Sequence, residues 1–439
     1  MTWWLAAIGL FGGLLLLLVC GLPAAIGFFG INLVGAWVYL GHGAGIMQLM
    51  RDGVSSITNF SLTPIPFFIL MGEVLYHTGI GHRAIDALDQ FIWRVPGRLS
   101  IVAVVAGTLF STISGSTIAA TALLGSALLP QMLRRGYHPS MALGPILAVG
   151  SLDMLIPPSA LAVLLGSLSK IPVADLLIAG ILPGALLSVT FIAYIILRVL
   201  HNRALAPSFG HETPLSRWKR WRALLQHVAP LVLIFALVVA AMVAGWATPT
   251  EAAAIGAVST VLAAWMYGAL RWSALAEALL GTAKISGVML FIVVGSTTFA
   301  QVLTFSGATQ GVLEVVQNAQ LSTPLLIAAM ILTLLVLGCF LDQVSMMLMC
   351  LPFFMPLVTN LGVDQVWFGI LFLIGMQLGL LTPPFGILLF VLKSVAPKEI
   401  TMRQIYQAVT PYIILCLLVL VFVFFFPPIA TWLPRVLLG

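Results

Sequence analysis

The chain has 439 residues, of which 61% are hydrophobic and 7% charged, with a mean hydropathy of +1.15 and a formal net charge of +6. This excludes a soluble domain with one buried core and a charged exterior, and the long, unalternating apolar runs exclude a transmembrane barrel. The chain is read as an all-α integral membrane protein, with its basic residues in the short gaps between spans, and not as a nucleic-acid-binding protein.

Residues 3–40 form one apolar run interrupted at Gly21-Leu22-Pro23, too long for one crossing and therefore two spans. No basic region precedes the run, so its start reads as a first span and not a cleaved signal peptide. A polar gap with Arg51 and Asp52 follows, then a span over about 60–76 and an amphipathic interfacial stretch over 79–98. From about 100 to 132 the chain is apolar except for Ser111-Thr-Ile-Ser-Gly-Ser-Thr117 at its middle. Arg94 and Arg98 precede it, and Arg134 and Arg135 follow. Basic flanks on both sides place both ends on one face, which predicts a re-entrant helical hairpin with the Ser/Gly segment as its tip. A span over about 140–168 is interrupted by Ser151-Leu-Asp-Met-Leu-Ile-Pro-Pro-Ser159, where the prolines break the helix and free backbone groups. In lipid such a break is tolerated only beside protein or a cavity.

A span over about 175–198 leads into the 201–222 loop, whose Arg203, Arg217, Lys219, Arg220 and Arg222 are the densest basic cluster and predict a cytoplasmic location. Spans near 228–246 and 252–270 follow, then a short amphipathic piece through Lys284 and a span near 285–304. A second amphipathic stretch surrounds Glu314. A second hairpin is predicted over about 323–358, with Gly338-Cys-Phe-Leu-Asp342-Gln343 at its tip. A second broken span over about 366–392 contains Gln377-Leu-Gly-Leu-Leu-Thr-Pro-Pro-Phe-Gly386, and a last span covers about 411–433.

Pro157 and Pro158 lie 226 residues before Pro383 and Pro384, and the same offset pairs Pro130 with Pro356. The chain is therefore divided into two repeats, 1–226 and 227–439. Counting crossings from a cytoplasmic 201–222 loop makes the repeats inverted. It leaves all but Arg51, Lys170 and Arg435 of the 19 Lys and Arg inside, with both termini outside. Inverted repeats with paired broken helices are how secondary transporters build a midplane site. Helix N-termini there suit an anion, and freed carbonyls and hydroxyls suit a hard cation such as sodium.

The candidate ion- and substrate-binding residues are Ser114, Gly115, Ser116 and Thr117 at the first tip and Asp342 and Gln343 at the second. Ser151, Asp153, Pro157, Pro158 and Ser159 form the first break, and Gln377, Thr382, Pro383 and Pro384 the second. Asp342 reads either as an ion or substrate ligand or as the cap of the hairpin's second arm. Asp153 reads either as a carboxylate that is water-lined or has a cation partner, or as an interfacial cap nearer the surface. The hydroxyls serve as ligands or as interhelical glue. Glu73 and His77, at i, i+4, form a structural pair or a proton relay. Gly375 and Gly379 match G-x-x-x-G, a helix-packing motif. The four cysteines and the scattered histidines lack metal-ligand spacing, no P-loop sequence occurs, and no set of groups points to an enzyme.

Four stretches, in this order and spacing, resemble one family. They are Pro66-Phe-Phe-Ile-Leu-Met-Gly-Glu73 with Thr78-Gly79-Ile80; Ile113-Ser-Gly-Ser116 with Leu124-Gly-Ser-Ala-Leu-Leu-Pro130 and Arg135-Gly-Tyr137; Thr248-Pro-Thr-Glu-Ala-Ala-Ala254; and Gly338-Cys-Phe-Leu-Asp342 with Leu380-Leu-Thr-Pro-Pro-Phe-Gly386. The family is the large membrane (permease, M) subunit of the tripartite ATP-independent periplasmic (TRAP) transporters. The resemblance covers essentially the whole chain. It implies a sodium-coupled, elevator-type importer of small organic acids such as dicarboxylates or sialic acid in a bacterial inner membrane. It also implies a periplasmic substrate-binding protein and a small four-helix membrane subunit as partners, no cofactor beyond the coupling Na+, and a transport domain holding both hairpins and both broken helices. The alternative is a stand-alone ion- or proton-coupled organic anion carrier or antiporter with Asp153 and Asp342 as proton sites. Two departures stand out: Asp153 where the family usually has glycine, and Thr117-Ile118-Ala-Ala-Thr121 where an acid is common. Together they read as an acid moved between elements.

Overall fold

The computed structural model describes residues 3–92, 95–114, 117–150, 152–207, 216–319 and 321–438. Among them every regular element is helical. Five helices are long and apolar enough to cross a bilayer alone, and seven shorter apolar helices accompany them. The protein is a multi-pass membrane protein.

Trp3–Val19 and Ala24–Tyr39 are separate helices divided at Gly21, whose positive φ lets the chain turn. Asn32 fixes the second of them by donating from Nδ2 to Gly295 O and Thr298 Oγ1, both at 2.6 Å, on the long helix Trp272–Phe305. That long helix corrects one expectation. The amphipathic piece through Lys284 and the span after it are one continuous element, because no proline interrupts them and Ala278, Thr282 and Ser286 continue a buried row. The gap holding Arg51 and Asp52 is also helical, Gly43–Ile57, with Gly45, Leu49 and Gly53 on its buried side. The last span, Met402–Phe425, ends before Pro427 and Pro428, and a separate helix Pro428–Leu437 follows.

The first hairpin has arms Arg98–Ser114 and Thr117–Arg134. Its open ends meet on one residue of the amphipathic helix Ile80–Phe91. Asp89 accepts a two-pronged contact from Arg98 and lies 3.9 Å from Arg135 Nη1. The flanking arginines thus hold both ends of the hairpin at the same place, as their symmetric spacing suggested. The second hairpin has arms Thr323–Gly338 and Gln343–Asn360, and its second arm is tied to the long helix by Ser296 Oγ donating to Leu348 O at 2.9 Å.

The broken helices are Pro139–Val149 with Ala160–Ser169, and Gln365–Leu381 with Ile387–Val395. Both proline pairs have a cis peptide bond. The two halves of the chain interlock: the second arm of the first hairpin packs on Ile387–Val395, and that of the second hairpin packs on Ala160–Ser169. Gly125 makes the first of these contacts close, since a Cβ there would stand 2.8 Å from Val395 and 2.9 Å from Leu392.

Candidate functional site

Each hairpin turns at a residue that opens its second arm, Thr117 in the first and Gln343 in the second, 226 positions apart. These two residues touch. Gln343 Nε2 donates to Thr117 Oγ1 at 2.9 Å, and Thr117 Oγ1 donates to Asp153 Oδ2 at 2.6 Å. Thr117 is fully buried and Asp153 is 2% exposed, so both tips and the first break converge on a carboxylate inside the protein. Asp153 is thus enclosed by the protein and not at its surface. The Thr117 hydroxyl and the Asp153 carboxyl are thus held together at 2.6 Å in a place closed to solvent.

Asp342 does the other job. Its Oδ2 accepts from Val344 N and Ser345 N, each at 3.1 Å, and its Oδ1 accepts from Ser345 Oγ. It is the N-cap of the second arm, where it satisfies donors that a helix start leaves open. Of the two readings weighed for this acid, the contacts are those of the cap. Ser159 caps Ala160–Ser169 likewise, with Oγ accepting from Ala162 N at 3.3 Å.

At the second break Gln377 is fully buried, and neither its Oε1 nor its Nε2 has a hydrogen-bond partner. A buried amide left without any bond costs about 1–3 kcal/mol per group, which makes this one a candidate to bond a ligand or water. Thr382 Oγ1 donates back to Leu378 O at 2.6 Å and does not point at a neighbour. The carbonyls beyond it are engaged: Pro383 O accepts from Cys339 Sγ at 3.7 Å and Pro384 O from Tyr406 Oη at 2.8 Å. Gly338 and Gly379 bring the first arm of the hairpin against the broken helix backbone to backbone, where a Cβ on Gly338 would stand 2.5 Å from Gly379 Cα. At the first break Gly180 permits the matching approach, its position for a Cβ lying 2.0 Å from Leu155 O.

Ser114 ends the first arm of its hairpin; its side chain, Gly115, Ser116 and Ser151 lie outside the described residues. Pro157 and Pro158, like Pro383 and Pro384, make the breaks by geometry and contribute no side-chain donor. Glu73 and His77 pair at 3.3 Å, and His77 Nδ1 also lies 3.1 Å from Glu277, so the structural reading of that pair gains a third member on the long helix. Glu251 closes a capping box with Thr248. Sequence reasoning missed Tyr406, whose hydroxyl arrives from the last span with no motif to announce it. It also placed Gly338 and Cys339 at the second tip without seeing that they face the second break.

The donors gathered here are carboxylate, hydroxyl, amide and backbone carbonyl oxygens, a set suited to hard cations and to hydrogen-bonded anions. Among the described residues no three His, Cys, Asp or Glu converge as a metal site.

The family model for the tripartite ATP-independent periplasmic transporter, DctM component, matches residues 11–429. The chain belongs to that family. It is 32% identical over 382 residues to the C4-dicarboxylate TRAP transporter large permease protein DctM of Pseudomonas aeruginosa, covering 86% of this chain and 87% of the relative. It is 28% identical to the sialic acid TRAP large permease SiaM of Vibrio cholerae, covering 98% and 99%. It is 29% identical to the ectoine/5-hydroxyectoine large permease UehC of Ruegeria pomeroyi, covering 96% of each. Among solved structures, the Alcanivorax borkumensis YdaH transporter aligns with TM-score 0.61 at 16% identity, covering 88% of this chain and 90% of that one. Neisseria gonorrhoeae MtrF aligns with TM-score 0.59 at 14% identity, covering 87% and 84%. At these identities the likeness is one of fold. The relatives of this TRAP large permease chain are transporter permeases, not enzymes.

Proposed function

We propose that the chain is the permease subunit of a sodium-coupled TRAP importer of a small organic acid. It sits in the bacterial cytoplasmic membrane with both termini periplasmic. It works with a small four-helix membrane subunit and a periplasmic binding protein. The observation that carries this reading is the meeting of the two hairpin tips and the first break at Gln343, Thr117 and Asp153. Tips that touch move as one body, which is what elevator alternating access requires of a transport domain. The short helices that restart after each break, Ala160–Ser169 and Ile387–Val395, direct N–H groups and a positive dipole end toward a substrate carboxylate. The Asp153 carboxylate and nearby carbonyls receive the sodium ion. The Gln377 amide completes its hydrogen bonds on substrate. The related permeases named for C4-dicarboxylates, sialic acid and ectoines support a small, carboxylate-bearing substrate.

Uptake of labelled C4-dicarboxylates, sialic acid and ectoine into proteoliposomes tests this. The expected result is accumulation of one of them only with the small subunit, the binding protein and an inward sodium gradient present together. Uptake indifferent to removal of the binding protein overturns it. Proton-driven flux from the purified single chain, lost on Asp153→Asn, would instead establish the stand-alone carrier, the reading favoured by a buried carboxyl group where the two tips meet.

A further inference from the structure

Two amphipathic helices lie side by side beneath the first hairpin, Ile80–Phe91 and Arg217–His227, joined by an edge-to-face contact of Phe91 with Trp221 at 5.1 Å. Their outer faces differ in kind. Ile80–Phe91 buries Ile80, Ala84, Ile85, Ala87 and Leu88 and presents His82, Arg83 and Asp86. Arg217–His227 presents Trp218, Trp221 and Leu225, which are 74%, 47% and 59% exposed. Spacings of three and four residues put these three in one row along the helix. At 100° per residue Arg217 falls on one side of the row and Arg222 on the other, with Lys219 beyond Arg222, and all three are exposed. On the inner side Arg220 keeps its charge, while burial and then Arg83 beside it hold His227 below its ordinary range.

An exposed tryptophan row between arginines is unfavourable in water and favourable at the boundary of headgroups and acyl chains. The placement agrees. Arg217–His227 leads directly into the apolar helix Ala229–Val243 at a bend of 41°, and that helix exposes Val232, Leu233 and Leu237. The basic-aromatic helix thus runs obliquely off the end of a membrane span, at the level where its cations meet phosphates.

We propose that Arg217–His227 is a binding site for anionic phospholipid. Trp218, Trp221 and Leu225 seat it among the upper acyl chains, while Arg217, Lys219 and Arg222 contact headgroup phosphates. Because the helix packs on Ile80–Phe91, whose Asp89 holds both open ends of the first hairpin, lipid bound here braces the frame from which that hairpin hangs.

The test is thermal melting of the full-length purified chain in detergent with added phosphatidylglycerol or phosphatidylcholine. The wild type is expected to be stabilised by phosphatidylglycerol over phosphatidylcholine. The R217Q/K219Q/R222Q variant is expected to melt like wild type in phosphatidylcholine and to need about tenfold or more phosphatidylglycerol for the same shift. An R271Q/K284Q variant, altered at exposed basic residues elsewhere, is expected to keep the wild-type response. The proposal is overturned if wild type does not distinguish the two lipids or if the triple variant keeps the full response. It is likewise overturned if R271Q/K284Q loses as much, or if inorganic phosphate alone reproduces the stabilisation.

Discussion

The two breaks share their order of elements, their proline pairs and a hairpin apiece, yet they are built from different chemistry. The first gathers polar groups: Asp153 takes a hydrogen bond from Thr117, which takes one from the opposite hairpin. The second is closed by backbone: Gly338 lies on Gly379, the residue 226 positions after Asp153, and the one large polar side chain there, Gln377, has both amide atoms unbonded. Duplicated geometry therefore does not mean duplicated roles. One break holds a carboxyl group bonded to a neighbouring element, and the other a neutral amide with no bond to the described residues.

The largest effect is expected where close approach is tightest. Gly338→Val and Gly180→Val each drive a side chain into backbone and should each cost about 3 kcal/mol or more, read as a fall in melting temperature with loss of uptake. If Gly338→Val is tolerated while Gly180→Val is not, the second break is looser than its geometry indicates and the comparison fails there. Next comes Asp153→Asn, which keeps an acceptor for Thr117 but removes the charge. Uptake should fall about tenfold or more with little change in melting, since the isosteric amide keeps the Thr117 hydrogen bond while a neutral ligand binds a hard cation more weakly. Unchanged uptake and ion dependence would reduce Asp153 to packing.

Gln377→Leu separates stability from function in the opposite direction. Removing an unbonded buried amide should raise stability by about 1–2 kcal/mol while uptake falls, measured by melting and transport on one preparation. A variant that is less stable would mean that the amide is bonded within the protein. The smallest effect belongs to Asp342. Asp342→Ala should cost about 1 kcal/mol as a lost cap, and Asp342→Asn should restore most of it with the ion dependence of uptake unaltered. A change in ion dependence on Asp342→Asn would put a charge requirement at the second tip and erase the asymmetry.

Much of this was legible in the chain itself. Apolar runs gave most spans to within a few residues, the last one being Met402–Phe425 and a separate helix where about 411–433 was expected, and proline pairs placed both breaks. The Ser/Gly and Gly-Cys-Phe-Leu-Asp tips marked the hairpins between Arg98–Ser114 and Thr117–Arg134 and between Thr323–Gly338 and Gln343–Asn360. The errors were at places where local signals compete. Lys284 suggested a separate surface piece, but one cation does not end a helix whose buried row continues past it. Arg51 and Asp52 suggested a gap, but they ride the exposed side of an amphipathic helix.

What the sequence determined by itself was everything set by short-range physics: where helices form, where prolines interrupt them, and which acids stand at the tips and breaks. It left Asp342 and Asp153 each with two readings, because a carboxylate at a helix start can cap or bind, and sequence spacing is the same for both. What only the tertiary structure supplied is the surroundings of each: Ser345 and two backbone N–H groups around Asp342, as at a cap, and a hydroxyl from another element against Asp153. The contact between Thr117 and Gln343 lies equally beyond sequence reasoning. It depends on how two halves pack across 226 residues, and no local preference encodes which faces will meet.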